Sequence, residues 1–364
     1  AQGPIARSLI AGGFCAHARA MKPMNEGACV TLPAAPVNLL TQGQPCVGRH
    51  AGCLPMVDLR HLPAPWARSA WWRRFHHKRW QYVGLAAEHW FIGLAIVDLG
   101  WAISAFVYVF DRQRRQVVLD WSQDGLPGLS GWVRDQPVQG GEARFRGLGA
   151  ELCIRPVAPE VASDALAVRV VAGGLRLQVE LDLSRAPPFL LAVGPVQGGL
   201  GHATQKSPGL PATGWFELNG QRHVLQGATG SLDSSNGLLA RETAWRWASA
   251  HDGRLGFNLQ QGYFGDQENV LWLDGALLPL GAATFVFDPA RPLAPWHIHT
   301  DDGMLDLRFR PEGARQARRD VWIAASDYIQ PVGTFHGWVR AAPGGPTLPV
   351  EGLLGVTEDH RSRW

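Results

Sequence analysis

From Leu175 to Leu183 every second residue is aliphatic: Leu175, Leu177, Val179, Leu181 and Leu183, with Arg176, Gln178, Glu180 and Asp182 between them. A period of two places the first set on one face of a strand and the second on the other, which a helix cannot use. Strand-like runs recur along the preceding chain at Gln81–Ala86, Trp90–Val97, Trp101–Phe110, Gln116–Trp121, Ala143–Leu148, Glu151–Pro156 and Ala165–Val171. Eight such strands joined by turns predict an up-and-down barrel. The Pro- and Gly-rich stretch Pro187–Gly209 interrupts the pattern. A second series then runs from Trp215–Gln226 through Thr243–Ala248, Leu255–Gly262, Glu268–Leu273 and further short runs to Val350–Thr357. A chain of 364 residues exceeds one comfortable core. The expectation is all-β, with two antiparallel β-barrel domains side by side. Residues 33–200 form the first, with a Pro-rich lead-in, and residues 201–364 the second. Residues 1–32 read as a disordered leader or extension.

The stretch Gly214–Trp247 says most about local structure. Trp215–Leu218 and Arg222–Gln226 flank Asn219-Gly220, a strong hairpin signal. Gly227–Gly237, rich in Gly, Ser and Asn around the carboxylate Asp233, reads as a loop before the aromatic strand Thr243–Trp247. Asp233 then has two readings: a proton donor at the mouth of a barrel, or an Asx-turn closing the loop.

Composition excludes several classes. The 43 glycines and 26 prolines favour short strands and tight turns over long helices. A net charge of +3 with dispersed arginines speaks against nucleic-acid binding. Cys15, Cys29, Cys46, Cys53 and Cys153 are odd in number and lack zinc spacing, so free thiols in a reducing, cytoplasmic compartment are expected. Phe91–Phe110 imitates a membrane helix, but Asp98 is costly in a bilayer. Its Asp-Leu-Gly reads as a turn between two strands of a soluble protein, with at most transient contact with a membrane surface. No G-x-S-x-G elbow, P-loop or fixed repeat is present. His297-x-His299 before Asp301-Asp302 puts two imidazoles on one strand face without a third ligand, and no metal or cofactor is expected. Glu358-Asp359-His360 reads as an anchor for the tail. The sixteen tryptophans either fill inward strand positions and barrel ends or, in several cases, line a cavity for a bulky apolar ligand, since pocket walls tend to be aromatic.

The motifs KRWQY (Lys78–Tyr82), VDLGW (Val97–Trp101), YVFDR (Tyr108–Arg112), ENVLWLDG (Glu268–Gly275) and EDHRSRW (Glu358–Trp364) together resemble a bacterial family of unassigned function, over roughly residues 35–364. More distantly, GATGSLDSSNG, TAWRW and Asp252-Gly253 resemble the lipocalin-like AttH and carotenoid 1,2-hydratase group. The resemblance implies two lipocalin-like barrels and protonation of an alkene by an Asp, here Asp233. The aromatic residues that flank the acid in that group are replaced by Ser231 and Ser235-Asn236.

An acid of this kind must stay protonated near neutrality, which burial in an apolar cavity favours. The functional expectation is a cofactor-independent lyase or isomerase acting on an isoprenoid or fatty-acyl substrate. Asp233 is the candidate donor, with His202 or Glu268 as second acid/base. Trp215, Trp245, Trp247 and Trp272 are the candidate pocket walls, with Lys206, Asn236 and Asn269 as polar ligand contacts. The alternative is a non-catalytic protein that binds a lipid or another hydrophobic small molecule.

Overall fold

The run Phe91–Phe110 is apolar on both strand faces, and the computed structural model, which describes residues 31–138, 141–158, 164–321 and 324–364, shows why. Trp90–Asp98 and Ile103–Asp111 pair as the expected hairpin. Ile92, Leu94, Ile96, Ala105, Val107 and Val109 fill the interior of a first barrel. Phe91, Ala95, Phe106, Tyr108 and Phe110 point the other way, into a layer shared with Trp247, Val332 and Val356 of a second sheet. Strands buried on both faces carry no polar face, so alternation disappears.

The first sheet is a nearly closed barrel. Its main path runs Gln116–Gly125, Ile103–Asp111, Trp90–Asp98, His77–Ala86, Ala228–Leu238, Leu210–Leu218, Leu175–Asp182, Ala165–Ala172, Ala150–Pro156, Ala143–Gly147 and Gly131–Val133, every pair antiparallel. Arg79 Nη1 donates to Asp135 at 2.9 Å, and Gln81 Nε2 donates to the Pro137 carbonyl at 2.9 Å, tying the segment that follows the end strand Gly131–Val133 across to His77–Ala86. The interior is packed with aliphatic side chains, so the barrel has a core where a lipocalin ligand cavity was expected.

The second sheet is a half-barrel ordered Ala276–Pro279, Val270–Leu273, Leu255–Gly262, Glu242–His251, Leu348–Arg363, Ala324–Val339, Leu305–Val321, Trp296–Thr300 and Ala283–Val286. Its three longest strands extend well past their apolar segments. Arg315 and Arg319 reach back to Asp120 at 2.9 Å and Asp124 at 2.6 Å on the first sheet, and Arg112 binds Glu312 with two hydrogen bonds. Ion pairing there takes over from apolar burial.

Several local expectations change. Gly227–Gly237 is not a loop: Ala228–Leu238 is a strand bonded to His77–Ala86, Gly201–Lys206 and Leu210–Ala212. Its small residues serve close packing, since a Cβ on Gly230 would strike Leu181 and one on Gly237 would press on Leu239 and His202. The interrupting stretch Pro187–Gly209 likewise contains a hairpin, Leu190–Gly194 with Gly201–Lys206, and Leu190–Val193 also pairs with Gly48–Ala51 of the lead-in. Residues 201–238, expected with the second barrel, therefore hydrogen-bond within the first sheet, and the chain passes between sheets from Leu238 to Glu242. Asn219 and Gly220 take the positive φ values (53° and 80°) of a two-residue hairpin turn, as expected. Among the described residues no helix is long and apolar enough to cross a membrane. Most of the leader (residues 1–30), with Cys15 and Cys29, lies outside them, and Cys46, Cys53 and Cys153 are free thiols.

Candidate functional site

Directly paired residues on neighbouring antiparallel strands share a face. Across the first sheet Lys206, Asp233, Tyr82, Ala95 and Phe106 stand in one such row. Facing it, Gln260, Trp247 and Glu358 form one row of the second sheet, and Trp245, His360 and Tyr328 form the next. All of these, with Trp80, Val97, Tyr263, Glu268 and Trp364, enclose a cavity of about 110 Å³ between the sheets.

Its polar end is built on Lys206. The ammonium lies 2.6 Å from Asp233 Oδ2 and 2.7 Å from Glu268 Oε2, all three side chains being largely buried. Burial acts against the Lys206 charge, but Asp233 and Glu268 outweigh it and hold the lysine above its ordinary range. Glu268 is pushed upward: burial disfavours its carboxylate and the Asp233 charge adds to this, while Lys206 opposes both. Thr204 and Ser235 hydroxyls stand 3.5 and 3.3 Å from Asp233 Oδ1. Two carboxylates around one ammonium leave a negative surplus, which a proton on Glu268 would relieve.

At the other end Glu358 accepts from Trp245 Nε1 (2.8 Å) and Gln330 Nε2 (2.9 Å). Gln330 Oε1 in turn accepts from the Tyr108 hydroxyl. His360 Nδ1 lies 3.4 Å from Glu358 Oε1, and its Nε2 meets the Ser326 and Ser362 hydroxyls at 2.9 and 2.8 Å. Burial raises the phenols of Tyr263 and Tyr328 well above their usual value, so they stay neutral.

Of the residues nominated from sequence, Asp233, Glu268, Lys206, Trp245 and Trp247 meet at this cavity. The other five do not line it. His202 lies on the same sheet face beyond Trp80, ringed by Trp80, Tyr263 and Phe264, and burial, then Lys206, depresses it to about 3. Trp215 lies under the Arg222 guanidinium on the outer hairpin. Trp272 donates to the Pro188 carbonyl at 2.8 Å. Asn236 bridges His77, the Val57 carbonyl and Asp135. Asn269 accepts from the Gln260 backbone N–H at 2.7 Å and thereby fixes a cavity strand. The cavity residues Gln260, Tyr82, Tyr263, Tyr328, Trp80 and Trp364 were not nominated, and Glu358 and His360 were read only as a tail anchor. A signal existed: a two-faced apolar run such as Phe91–Phe110 demands a second layer, and the Trp-rich strand Thr243–Trp247 could supply it. Asp98 caps the Gly100 N–H, as a turn-former should. His297 is bound by Asp306 at 2.9 Å, and Asp301 and Asp302 accept from the Ala282 and Gly281 N–H groups.

Residues 35–364 match a family described as a domain of unknown function, DUF2804. The fold is similar to an AttH-like protein of Nitrosomonas europaea (TM-score 0.52, 14% identity, 84% of this chain and 98% of that one). It is also similar to kievitone hydratase of Nectria haematococca (0.50, 10%, 90% and 97%) and to CghA solved with Sch210972 (0.50, 13%, 92% and 98%). At such identities the likeness is one of fold. No curated protein matches the chain in sequence.

Proposed function

Since the chain belongs to the DUF2804 family, whose function is undefined, its chemistry must be read from the cavity, and we propose a cofactor-independent acid/base enzyme, a hydratase or isomerase, acting on an apolar unsaturated substrate. The observation that carries this reading is Glu268: a buried carboxyl, pushed toward its protonated form, among aromatic side chains and beside a charged Lys206–Asp233 pair. Asp233, the candidate donor from sequence, faces the ammonium directly and suits the role of charged partner. Glu268 gives its proton to an alkene carbon, and the cation formed lies against the π faces of Trp247 and Tyr82. Water then adds and returns a proton to the Glu268 carboxylate, or a neighbouring C–H proton returns there instead, giving hydration or isomerisation. Kinship of fold with a hydratase supports the class without fixing the substrate. An isoprenoid or acyl unit suits the apolar walls. A cavity of about 110 Å³ admits the reacting unit, and the rest of a longer molecule would extend between the sheets.

The test is incubation of the purified protein in D2O with isoprenoid and fatty-acyl alkenes, with deuterium incorporation and water addition followed by mass spectrometry. Glu268→Gln should lower incorporation by about 100-fold or more, the usual worth of a general acid. Incorporation at the parental rate in that variant would remove Glu268 from the role. A parental protein that binds the alkenes and exchanges nothing would be a carrier of hydrophobic molecules.

A further inference from the structure

Gln260 stands in the cavity wall, 1% exposed, with neither its amide nitrogen nor its amide oxygen hydrogen-bonded. Such a group left unsatisfied is costly, about 1–3 kcal/mol, and native interiors rarely tolerate one. Its place is fixed from both sides. The backbone N–H is held by Asn269 Oδ1 at 2.7 Å, and the residue pairs across the sheet with Trp247. It therefore points from the same face as Trp247 and Glu358 toward the Lys206 cluster. Two neighbours are already engaged: Asn258 Oδ1 accepts from Trp247 Nε1 and its Nδ2 donates to the Glu268 carbonyl, and Glu358 is satisfied by Trp245 and Gln330. The Tyr328 hydroxyl, also in the cavity wall, is unpaired as Gln260 is.

Charge limits what can answer Gln260. Even with Glu268 protonated, Asp233 and Glu358 face one lysine across the cavity, so an anionic head would enter a site already in negative surplus. A bare hydrocarbon would bury the carboxamide unpaired. We propose that the cavity selects an uncharged, oxygenated apolar ligand whose carbonyl, hydroxyl or amide group pairs with the Gln260 carboxamide. This rests on the reading of the inter-sheet cavity as the ligand site, and narrows the substrate from any alkene to one bearing such a neutral group. An α,β-unsaturated amide or ketone, or an allylic alcohol, meets both demands. An amide does so best, since it offers a donor and an acceptor side by side.

Small five-carbon probes suit the test, because the cavity of about 110 Å³ is smaller than the roughly 150 Å³ that holds benzene. Binding of 3-methylcrotonamide, 3-methylbut-2-en-1-ol, 2-methylbut-2-ene and 3-methylcrotonate is measured by quenching of tryptophan fluorescence, in the parental protein and in Gln260→Leu and Gln260→Glu. The amide should bind about tenfold tighter than the hydrocarbon, one hydrogen bond's worth, and the carboxylate weakest. Gln260→Leu should erase the amide's advantage while keeping hydrocarbon binding, which also shows that the variant folds. Gln260→Glu should weaken the carboxylate further. Tightest binding of the hydrocarbon or the carboxylate, an amide preference that survives Gln260→Leu, or no binding of any probe would each overturn the proposal. Turnover plays no part in this readout, so the selectivity can hold where the Glu268 chemistry fails, and the reverse.

Discussion

Replacing Lys206 by Met tests the centre of the site. Lys206 and Glu268 are almost wholly buried and Asp233 nearly so, with side-chain exposures of 6%, 4% and 14%. Methionine fills much the same volume but removes the only ammonium that faces both acids among the described residues. Breaking a buried pair by deleting one partner costs about 3–5 kcal/mol. For cooperative unfolding of a 364-residue chain, an unfolding entropy of about 2.1 cal/mol/K per residue converts this to a fall in Tm of about 4–7 °C. The pH dependence has a definite sign. Without the ammonium, the buried acids hold protons more tightly in the folded chain than in the unfolded one, where they titrate near about 4. The folded state then binds the excess protons, and its stability declines as pH rises above about 4. The deficit of Lys206→Met should therefore be larger at pH 8 than at pH 5, and adding Asp233→Asn should recover part of it. Urea unfolding of the three proteins at both pH values is the assay. A deficit that is absent, or no larger at pH 8 than at pH 5, would refute the charge cluster as described.

Three further outcomes follow from burial and packing. Burial, acting first in each case, depresses His202 to about 3 and His77 and His251 to about 4; an unfolded histidine titrates near about 6.5, so the unfolded state gains protons first and stability falls as pH drops from about 6.5 toward 4. At pH 5 each costs about 2 kcal/mol relative to neutrality, and His202→Phe should flatten the acid limb of a urea-midpoint profile by about a third. Gly93→Ala drives a Cβ into the cross-strand Tyr108 ring, which is held by Gln330; a loss of about 1–3 kcal/mol is expected, and an unchanged midpoint in calorimetry would contradict the packing. Trp272→Phe should cost about 1 kcal/mol through its bond to Pro188 and leave probe quenching intact, whereas Trp247→Phe should remove much of that quenching.

The sequence carried the strands well where one face is wet and one dry. Leu175–Asp182 alternates buried and exposed throughout, and the Asn219-Gly220 turn adopts the backbone that those two residues favour. It failed at Ala228–Leu238 for a physical reason. Gly, Ser and Asn are turn formers by propensity, but they are also the side chains small enough for a strand crossed by three partners, and propensity does not separate the two uses. As a loop the segment leaves Asp233 without neighbours; as a strand it sets Asp233 between Lys206 and Tyr82. Tryptophan identity was equally ambiguous: Trp247 and Trp272 are both buried in strands with their indole N–H bonded, yet only the first lines the cavity.

What decides between them is which face of each sheet meets the other, and that is a property of two distant segments together. Phe91–Phe110 and Glu242–His251 each look over-apolar or over-aromatic alone; stacked, they enclose a site that neither barrel interior offers. The filled core of the first barrel makes the point mechanically. A ligand inside that barrel would have to displace aliphatic packing, whereas one between the sheets has only to separate two layers held by side-chain contacts and by outer ties such as Arg112–Glu312. Entry of any substrate larger than the cavity should therefore proceed by parting the sheets. Weakening the Arg112–Glu312 tie with Glu312→Gln should raise the association rate of a long-chain alcohol more than that of 3-methylbut-2-en-1-ol. Stopped-flow tryptophan quenching measures both rates, and an equal change for the two would argue for another route in.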